Sequence, residues 1–347
     1  MTLQGAEIAV IGAGALGLCA AAELARRGAR VVVFDPGGRN ASTIAAGMLA
    51  PAFEAALEDA PRRTADLYRS ARDRWPGFAE AFGLALNRDG AEWRGDAGAL
   101  LGRMHGAGFT AEPTPEGLFT PEDWSVDPLD ATARLRRALD QAGAARLHVR
   151  AERLRLDHGR VRVDAGARSW TGDAVVLATG WSAAGLDAPD LRPLLERVSP
   201  IKGQIARLEG PGAASVRRVV RAPGVYVVPR GGGVLVGATM EPGRADETVD
   251  PHRIEALRSA AVAAVPELAD AAVAEAWAGV RGASPDGLPM IGRTVTPGVF
   301  AALGPRRNGW LFAPLAAEIL CDLIAEKDPG GEAGVLRPDR FDELTAG

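Results

Sequence analysis

EIAVIGAGALG (7–17) sets a short apolar run directly against three glycines spaced as GxGxxG. A β-rich apolar run ended by glycine reads as a strand buried on both faces of a parallel sheet. ALGLCAAAELARRG (15–28) follows with helical propensity and a closing glycine, and ARVVVFD (29–35) supplies the next strand. Together they make a complete βαβ unit with the glycines between first strand and first helix. Gly12, Gly14 and Gly17 there permit a tight turn and close approach to a pyrophosphate, while the helix start offers free N–H groups at the positive end of its dipole. Asp35 ends the second strand eighteen residues after Gly17, where a carboxylate bonds a ribose diol. Among 43 glycines the spacing alone occurs by chance; its position in the βαβ unit gives it weight.

No second GxGxxG exists, which speaks against a flavin and a nicotinamide held together. RNASTIAAGMLAP (39–51) bears on which dinucleotide binds: Asn40, Ala41 and Ser42 are small and polar, and AAGM lets backbone approach a large flat group. Read without further context, the same stretch is equally an ordinary turn and helix start.

Composition narrows the class. The 347 residues, 47% hydrophobic, suffice for one large or two intimate domains. A net charge of -4 and the absence of any basic cluster speak against nucleic acid as partner. Cys19 and Cys321 form neither a disulfide framework nor a CxxC site, and the four histidines lack metal-ligand spacing, so no metal is expected. Glu7 precedes the one signal-like apolar stretch where positive charge belongs; a reducing, cytoplasmic location without a membrane span is the expectation. A homo-oligomer is left open.

Farther along, 54–82 reads as helical and 84–128 as irregular or short-stranded. DPLDATARLRRALDQAG (127–143) is a helix capped by Asp127 with Pro128 in its first turn. RLHVRAERLRLDHGRVRVDAG (146–166) alternates as strands do, and DAVVLATG (173–180) is a third buried strand. YVVPRGGGVLVGATM (226–240) is a hairpin of an antiparallel sheet around Gly231, Gly232 and Gly233. A three-residue loop there puts Tyr226 and Met240 on one face; two residues of a sheet core is the alternative. PLAAEILCDLIAEKD (314–328) closes the chain as a helix begun by Pro314, with Leu315, Ile319 and Leu323 on one stripe. The fold class is α/β: a Rossmann-like dinucleotide domain interrupted by excursions that build an antiparallel sheet.

Taken together, VIGAGALG, VVVFDPG, ASTIAAGMLAP, VLATGWSA, IKGQ, YVVPRGGGVLVGATM, WAGVRGASPDGLPMIG and GPRRNGWLFAP resemble the D-amino-acid-oxidase-like flavoproteins, most of all the glycine oxidase branch linked to thiamine biosynthesis. The likeness runs in order along nearly the whole chain, leaving mainly 55–125 unmatched. It implies non-covalent FAD in a glutathione-reductase-like domain (1–83, 139–199, 284–347) interleaved with a substrate domain of the D-amino-acid-oxidase type (84–138, 200–283). It implies oxidative deamination of glycine, sarcosine or a small D-amino acid by hydride transfer from Cα to flavin N5, imine hydrolysis, and reoxidation by O2 giving H2O2. A dehydrogenase passing electrons to a quinone or carrier is the alternative.

Residue by residue, Gly12, Gly14, Gly17 and Asp35 match contacts to the AMP half. Ser42, Ala46, Gly47 and Met48 match the stretch along diphosphate and isoalloxazine, and Thr179 with Gly180 a later FAD-contacting turn. Tyr226, Met240, Arg281 and Arg307 match the substrate pocket, with Arg281 as the bidentate carboxylate anchor and Tyr226 as a second donor. Arg307, Asn308 and Gly309 match the turn into the last helix, whose N–H groups face the flavin; Arg306 points to solvent or an acidic partner. Where the family has His and an aromatic, this chain has Pro305 and Arg306; where it has Arg-Pro, this chain has Arg281-Gly282.

Overall fold

A computed structural model describes residues 2–181 and 185–342, so Ser182 and Ala183 of the VLATGWSA motif lie outside the described residues. Strand Glu7–Ile11 pairs in parallel with Arg30–Phe34 on one side and Ala174–Leu177 on the other. Val299–Leu303 extends the sheet in parallel beyond Ala174–Leu177, Ala145–Leu147 extends it beyond Arg30–Phe34, and Met290–Arg293 closes one edge antiparallel.

Side-chain alternation explains why these strands read as unbroken apolar runs. Ile8, Val10, Val31 and Val33 pack under helices Ala15–Arg26 and Gly309–Ile324. Ala9, Ile11, Phe34, Val175 and Leu177 pack instead against Leu154, Val161 and Val163 of the three-stranded layer Arg153–Asp157, Arg160–Ala165 and Arg168–Gly172. With both faces covered there is no polar side to alternate toward. Each such aliphatic side chain taken out of water contributes about 1.5–3 kcal/mol.

The second sheet is built on the long strand Ser199–Glu209, which pairs antiparallel along its length with Ala272–Ala283. Its other edge takes Gly233–Gly237 and then, in order, Val225–Arg230, Val219–Ala222, Ala91–Arg94, Gly117–Thr120 and Glu112–Thr114. Helix Pro251–Ala264 covers its back through Ile254, Leu257 and Ala261.

Four expectations need correction. The hairpin loop has two residues, because Arg230 pairs with Gly233; Gly231 and Gly232 both take positive φ, the twist a two-residue hairpin needs. Tyr226 therefore faces Gly237, and Met240 lies beyond the strand's end. The segment 84–128 contains helix Gly98–Gly106, which its glycines disguised; buried Leu100 and Met104, one turn apart, hold it. The last long helix begins at Gly309, not Pro314. Pro314 deprives the Trp310 carbonyl of its intrahelical donor, and the Trp75 indole N–H replaces it, 3.2 Å from that carbonyl and 3.3 Å from the Leu311 carbonyl. Finally, this helix is buried nearly all round, with Phe312, Ala316 and Leu320 as hidden as Leu315 and Ile319, so it has no single stripe. Among the described residues no helix is long and apolar enough to cross a membrane, and Cys19 and Cys321 are buried free thiols.

Candidate active site

Two cavities meet behind the short helix Ala41–Ile44. The first, about 560 Å³, is a cleft at the carboxyl end of the parallel sheet, lined by Gly12, Gly14, Asp35, Asn40, Ser42, Thr179 and Gly180 among others. The second, about 250 Å³, lies over the antiparallel sheet; Ala46, Gly47, Met48, Tyr226, Met240, Arg281, Arg307 and Asn308 line it. Ala41 belongs to both. Of the residues anticipated from sequence, Gly17 and Gly309 reach neither cavity. Gly17 instead packs helix on strand: a Cβ there would sit 2.0 Å from the Gly12 carbonyl oxygen.

The cleft suits a dinucleotide. Gly12 takes φ 105°, and a Cβ on it would meet the Ala178 carbonyl oxygen at 2.3 Å. Gly14 caps the first helix without a side chain, leaving that helix start open to an anion. Asn40 builds the facing wall: its side chain accepts from the Ser42 and Thr43 N–H groups, and Thr43 Oγ1 accepts from the Asn40 N–H. Ser42 Oγ then accepts from the Ala15 N–H at 2.9 Å, while the Trp310 indole donates to the Ser42 carbonyl. Thr179 Oγ1 is buried in the cleft with no hydrogen-bond partner among the described residues, an orphaned donor and acceptor that a dinucleotide would satisfy. The bend at Ala46–Gly47 is clasped by Arg230, which donates to the Ala46 carbonyl at 2.8 Å and pairs with Asp127 at 2.7 Å.

The floor of the second cavity is carpeted with glycine. A Cβ at Gly203 would lie 2.1 Å from Arg281 Nη1, and one at Gly237 would lie 2.5 Å from the Tyr226 hydroxyl. Arg281 and Tyr226 therefore lie flat across the neighbouring strands. Glycine inside a strand is the signal of such close approach, present in IKGQ and LVGATM but legible only once the register is known. Gly282, where the family carries proline, backs onto the cleft: its Cβ would meet the Gly180 carbonyl carbon and the Trp181 N–H nitrogen at 3.0 Å.

Arg281 forms no ion pair among the described residues; its Nη1 meets only the Thr239 carbonyl at 3.4 Å and Met240 Sδ at 3.5 Å. Burial, with Arg307 and Arg306 nearby, lowers its pKa from the ordinary value, and Tyr226 opposes the shift. The Tyr226 hydroxyl, whose pKa burial raises, bonds to no described residue. The cavity thus holds a desolvated cation and a free hydroxyl side by side, the pair a carboxylate satisfies.

Arg307 differs. Its Nε pairs with Glu54, and its Nη2 with Glu58 at 2.8 Å. Glu54 also takes Arg221 Nη1 at 3.1 Å. Burial alone would raise the Glu54 pKa, but Arg307 and Arg221 outweigh it and hold the carboxyl below its ordinary value. Arg306, left-handed at φ 51°, reaches Glu58 at 3.2 Å, the acidic partner anticipated for it. Glu54, Arg221 and Trp93 carry no motif signal, and Arg230, though inside YVVPRGGGVLVGATM, was given no role; the sequence reading missed all four.

Comparison with known proteins agrees with this geometry. The family model described as DAO: FAD dependent oxidoreductase matches residues 7–323. The glycine oxidases of Geobacillus kaustophilus and Pseudomonas aeruginosa are 30% and 31% identical, each over 93% of this chain and over 93% and 96% of their own lengths. The Bifunctional protein ThiO/ThiG of Nostoc is 32% identical over 92% of this chain, which spans 53% of it. The crystal structure of the Geobacillus kaustophilus glycine oxidase superposes with a TM-score of 0.86 over 96% of this chain and 99% of that one, at 26% identity. The match begins on the first strand of the dinucleotide cleft and ends inside the helix whose start borders the second cavity, so the chain belongs to the DAO family of FAD-dependent oxidoreductases and takes FAD as its cofactor.

Proposed function

We propose that this enzyme oxidises glycine or a near relative, sarcosine or a small D-amino acid, to the imine, which water hydrolyses to the oxo acid and ammonia or amine. The observation that carries the reading is Arg281: a cavity-lining guanidinium with no anionic partner among the described residues, beside the Tyr226 hydroxyl, which bonds to none of them. A bidentate fork fixes an amino acid by its carboxylate more rigidly than a point charge, and Tyr226 donates to the same group. FAD, when bound, supplies the two-electron acceptor and passes the pair to dioxygen as hydrogen peroxide.

The cleft residues Gly12, Gly14, Asp35, Ser42, Thr179 and Gly180, with Gly17 behind them, hold the nucleotide half in this reading. Ala46, Gly47, Met48 and Asn308 would border the ring, with Gly309 behind them at the start of the helix. Met240 and the Trp93 indole narrow the cavity and exclude water, while Arg307 and Glu54 form its rear wall. No histidine or lysine is among the described residues lining the cavity, which agrees with oxidation of the neutral amine, a reaction that needs no side-chain base. The name ThiO in the relatives supports a place in thiamine biosynthesis, and the reading places the enzyme in the cytoplasm, with FAD and substrate segments interleaved along the chain.

Anaerobic mixing of the yellow holoprotein with glycine, sarcosine, D-alanine and D-proline tests the reading. At least one must bleach the flavin, at a rate rising with pH as the substrate ammonium deprotonates, and air must then yield peroxide. Flavin that none of these bleaches refutes the proposal; bleaching without peroxide assigns the electrons to another acceptor.

A further inference from the structure

The charged side chains lining the substrate cavity are Arg221, Arg281, Arg307 and Glu54. Two of these arginines are already engaged. Glu54 Oε1 lies 3.1 Å from Arg221 Nη1, and its Oε2 pairs with Arg307 Nε. Glu58 closes the far end of the Arg307 guanidinium at 2.8 Å. These two arginines and two carboxylates sum to zero, before Arg306, which reaches Glu58 from the solvent side. Glu54 is held rigidly in that role: its side chain is 5% exposed, and its helix, Pro51–Leu57, is capped by Asp123, which accepts from the Ala52 and Phe53 N–H groups. Arg281 is left as the one uncompensated cation on the wall.

We propose that Glu54 is a specificity-determining residue: by tying up Arg221 and Arg307 in ion pairs, it restricts the cavity to ligands with one carboxylate and rejects dicarboxylates. The inference rests on the reading of this cavity as an amino-acid site. A first carboxylate meets Arg281. A second is stripped of water and finds no free cation, only the like charge of Glu54. Replacing Glu54 with glutamine leaves its volume in place and removes that charge, so Arg221 and part of Arg307 then face the cavity unpaired.

The test uses holoprotein and two carboxylates that undergo no oxidation, propionate and malonate, which are near each other in size; binding is read from the perturbation of flavin absorbance. Wild-type protein binds propionate in preference to malonate. In Glu54→Gln the malonate-to-propionate affinity ratio rises by at least about tenfold, the scale of one unit charge a few ångströms away in a half-screened site, whereas Glu54→Asp, which keeps the charge, stays near wild type. Glu54→Gln protein that retains FAD and an unchanged ratio overturns the proposal. If that variant fails to hold FAD, Glu58→Gln at its half-exposed position decides: it frees one end of Arg307, so the ratio rises by a smaller factor, and an unchanged ratio overturns the proposal equally. Because neither probe is a substrate, the outcome is separable from the proposed function, whose failure shows as flavin that no amino acid bleaches while the ratio still responds to Glu54.

Discussion

Gly203→Ala tests the positioning of Arg281 without altering the guanidinium itself. Gly203 lies inside strand Ser199–Glu209 with ordinary strand conformation, so alanine strains no backbone there and removes some unfolded-state freedom, worth about 0.5–1 kcal/mol. Its new methyl, however, would occupy the space of the guanidinium, at 2.1 Å from Nη1 and 2.4 Å from Cζ and Nη2, where ordinary contact begins near 3.4 Å. The strand is fixed by pairing on both edges, so the guanidinium is the part that moves, by more than 1 Å. Displacing a substrate-orienting group by about 1 Å costs roughly a hundredfold in rate, or about 2.7 kcal/mol of barrier. Anaerobic stopped-flow reduction of the flavin by glycine and D-alanine reads the effect. The limiting rate should fall about that far, while FAD content and melting temperature stay at or slightly above wild type. A variant reduced at the wild-type rate, with propionate affinity also unchanged, would refute the role given to Arg281.

Two further outcomes follow from buried groups. Trp75→Phe strands the Trp310 carbonyl that Pro314 has already deprived of its helical donor; urea unfolding should show a loss of about 1–3 kcal/mol, and a loss below about 0.5 kcal/mol would mean that carbonyl is satisfied otherwise. Asp123 is buried, and burial pushes its pKa up from 3.8 to about 7 against the pull of the Ala52 and Phe53 N–H groups and Arg221. Its folded pKa lies above its unfolded one, so the folded state binds the extra proton: the contribution is complete below pH 3.8 and is lost as pH rises toward 7. The stability of wild type relative to Asp123→Asn should therefore decline by roughly 3–4 kcal/mol across that window, and a flat difference would show the carboxyl to be ionised throughout.

The parallel sheet and the nucleotide cleft were legible because their signals are local. Gly12, Gly14 and Gly17 stand within six residues, and the strands around them are apolar on both faces, so composition alone separates them from surface strands. The hairpin was legible as a hairpin, yet three successive glycines left its register open, and only the pairing of Arg230 with Gly233 carries Met240 past the strand end. The start of the last helix was misplaced because Pro314 obeys the first-turn preference in general; its tolerance inside this helix depends on an indole 235 residues away. The charged wall was illegible for the same reason. Glu54 sits in PAFEAALED as an unremarkable helical glutamate, and its partners Arg221 and Arg307 lie 167 and 253 residues along the chain. Family likeness supplied Arg281, Tyr226 and Arg307 as positions; that Arg281, unlike Arg307, has no ion-pair partner among the described residues is a fact of three dimensions.

The helix Ala41–Ile44 is a partition between two rooms: Ser42 looks into one, Ile44 into the other, and Ala41 borders both. Any attempt to widen the substrate range by mutating this partition will therefore also loosen the grip on the coenzyme, and a catalyst improved there will leak colour on dialysis. Trp93 and Met240 line only the smaller room, so libraries meant to retune selectivity while sparing the cleft belong at those two positions.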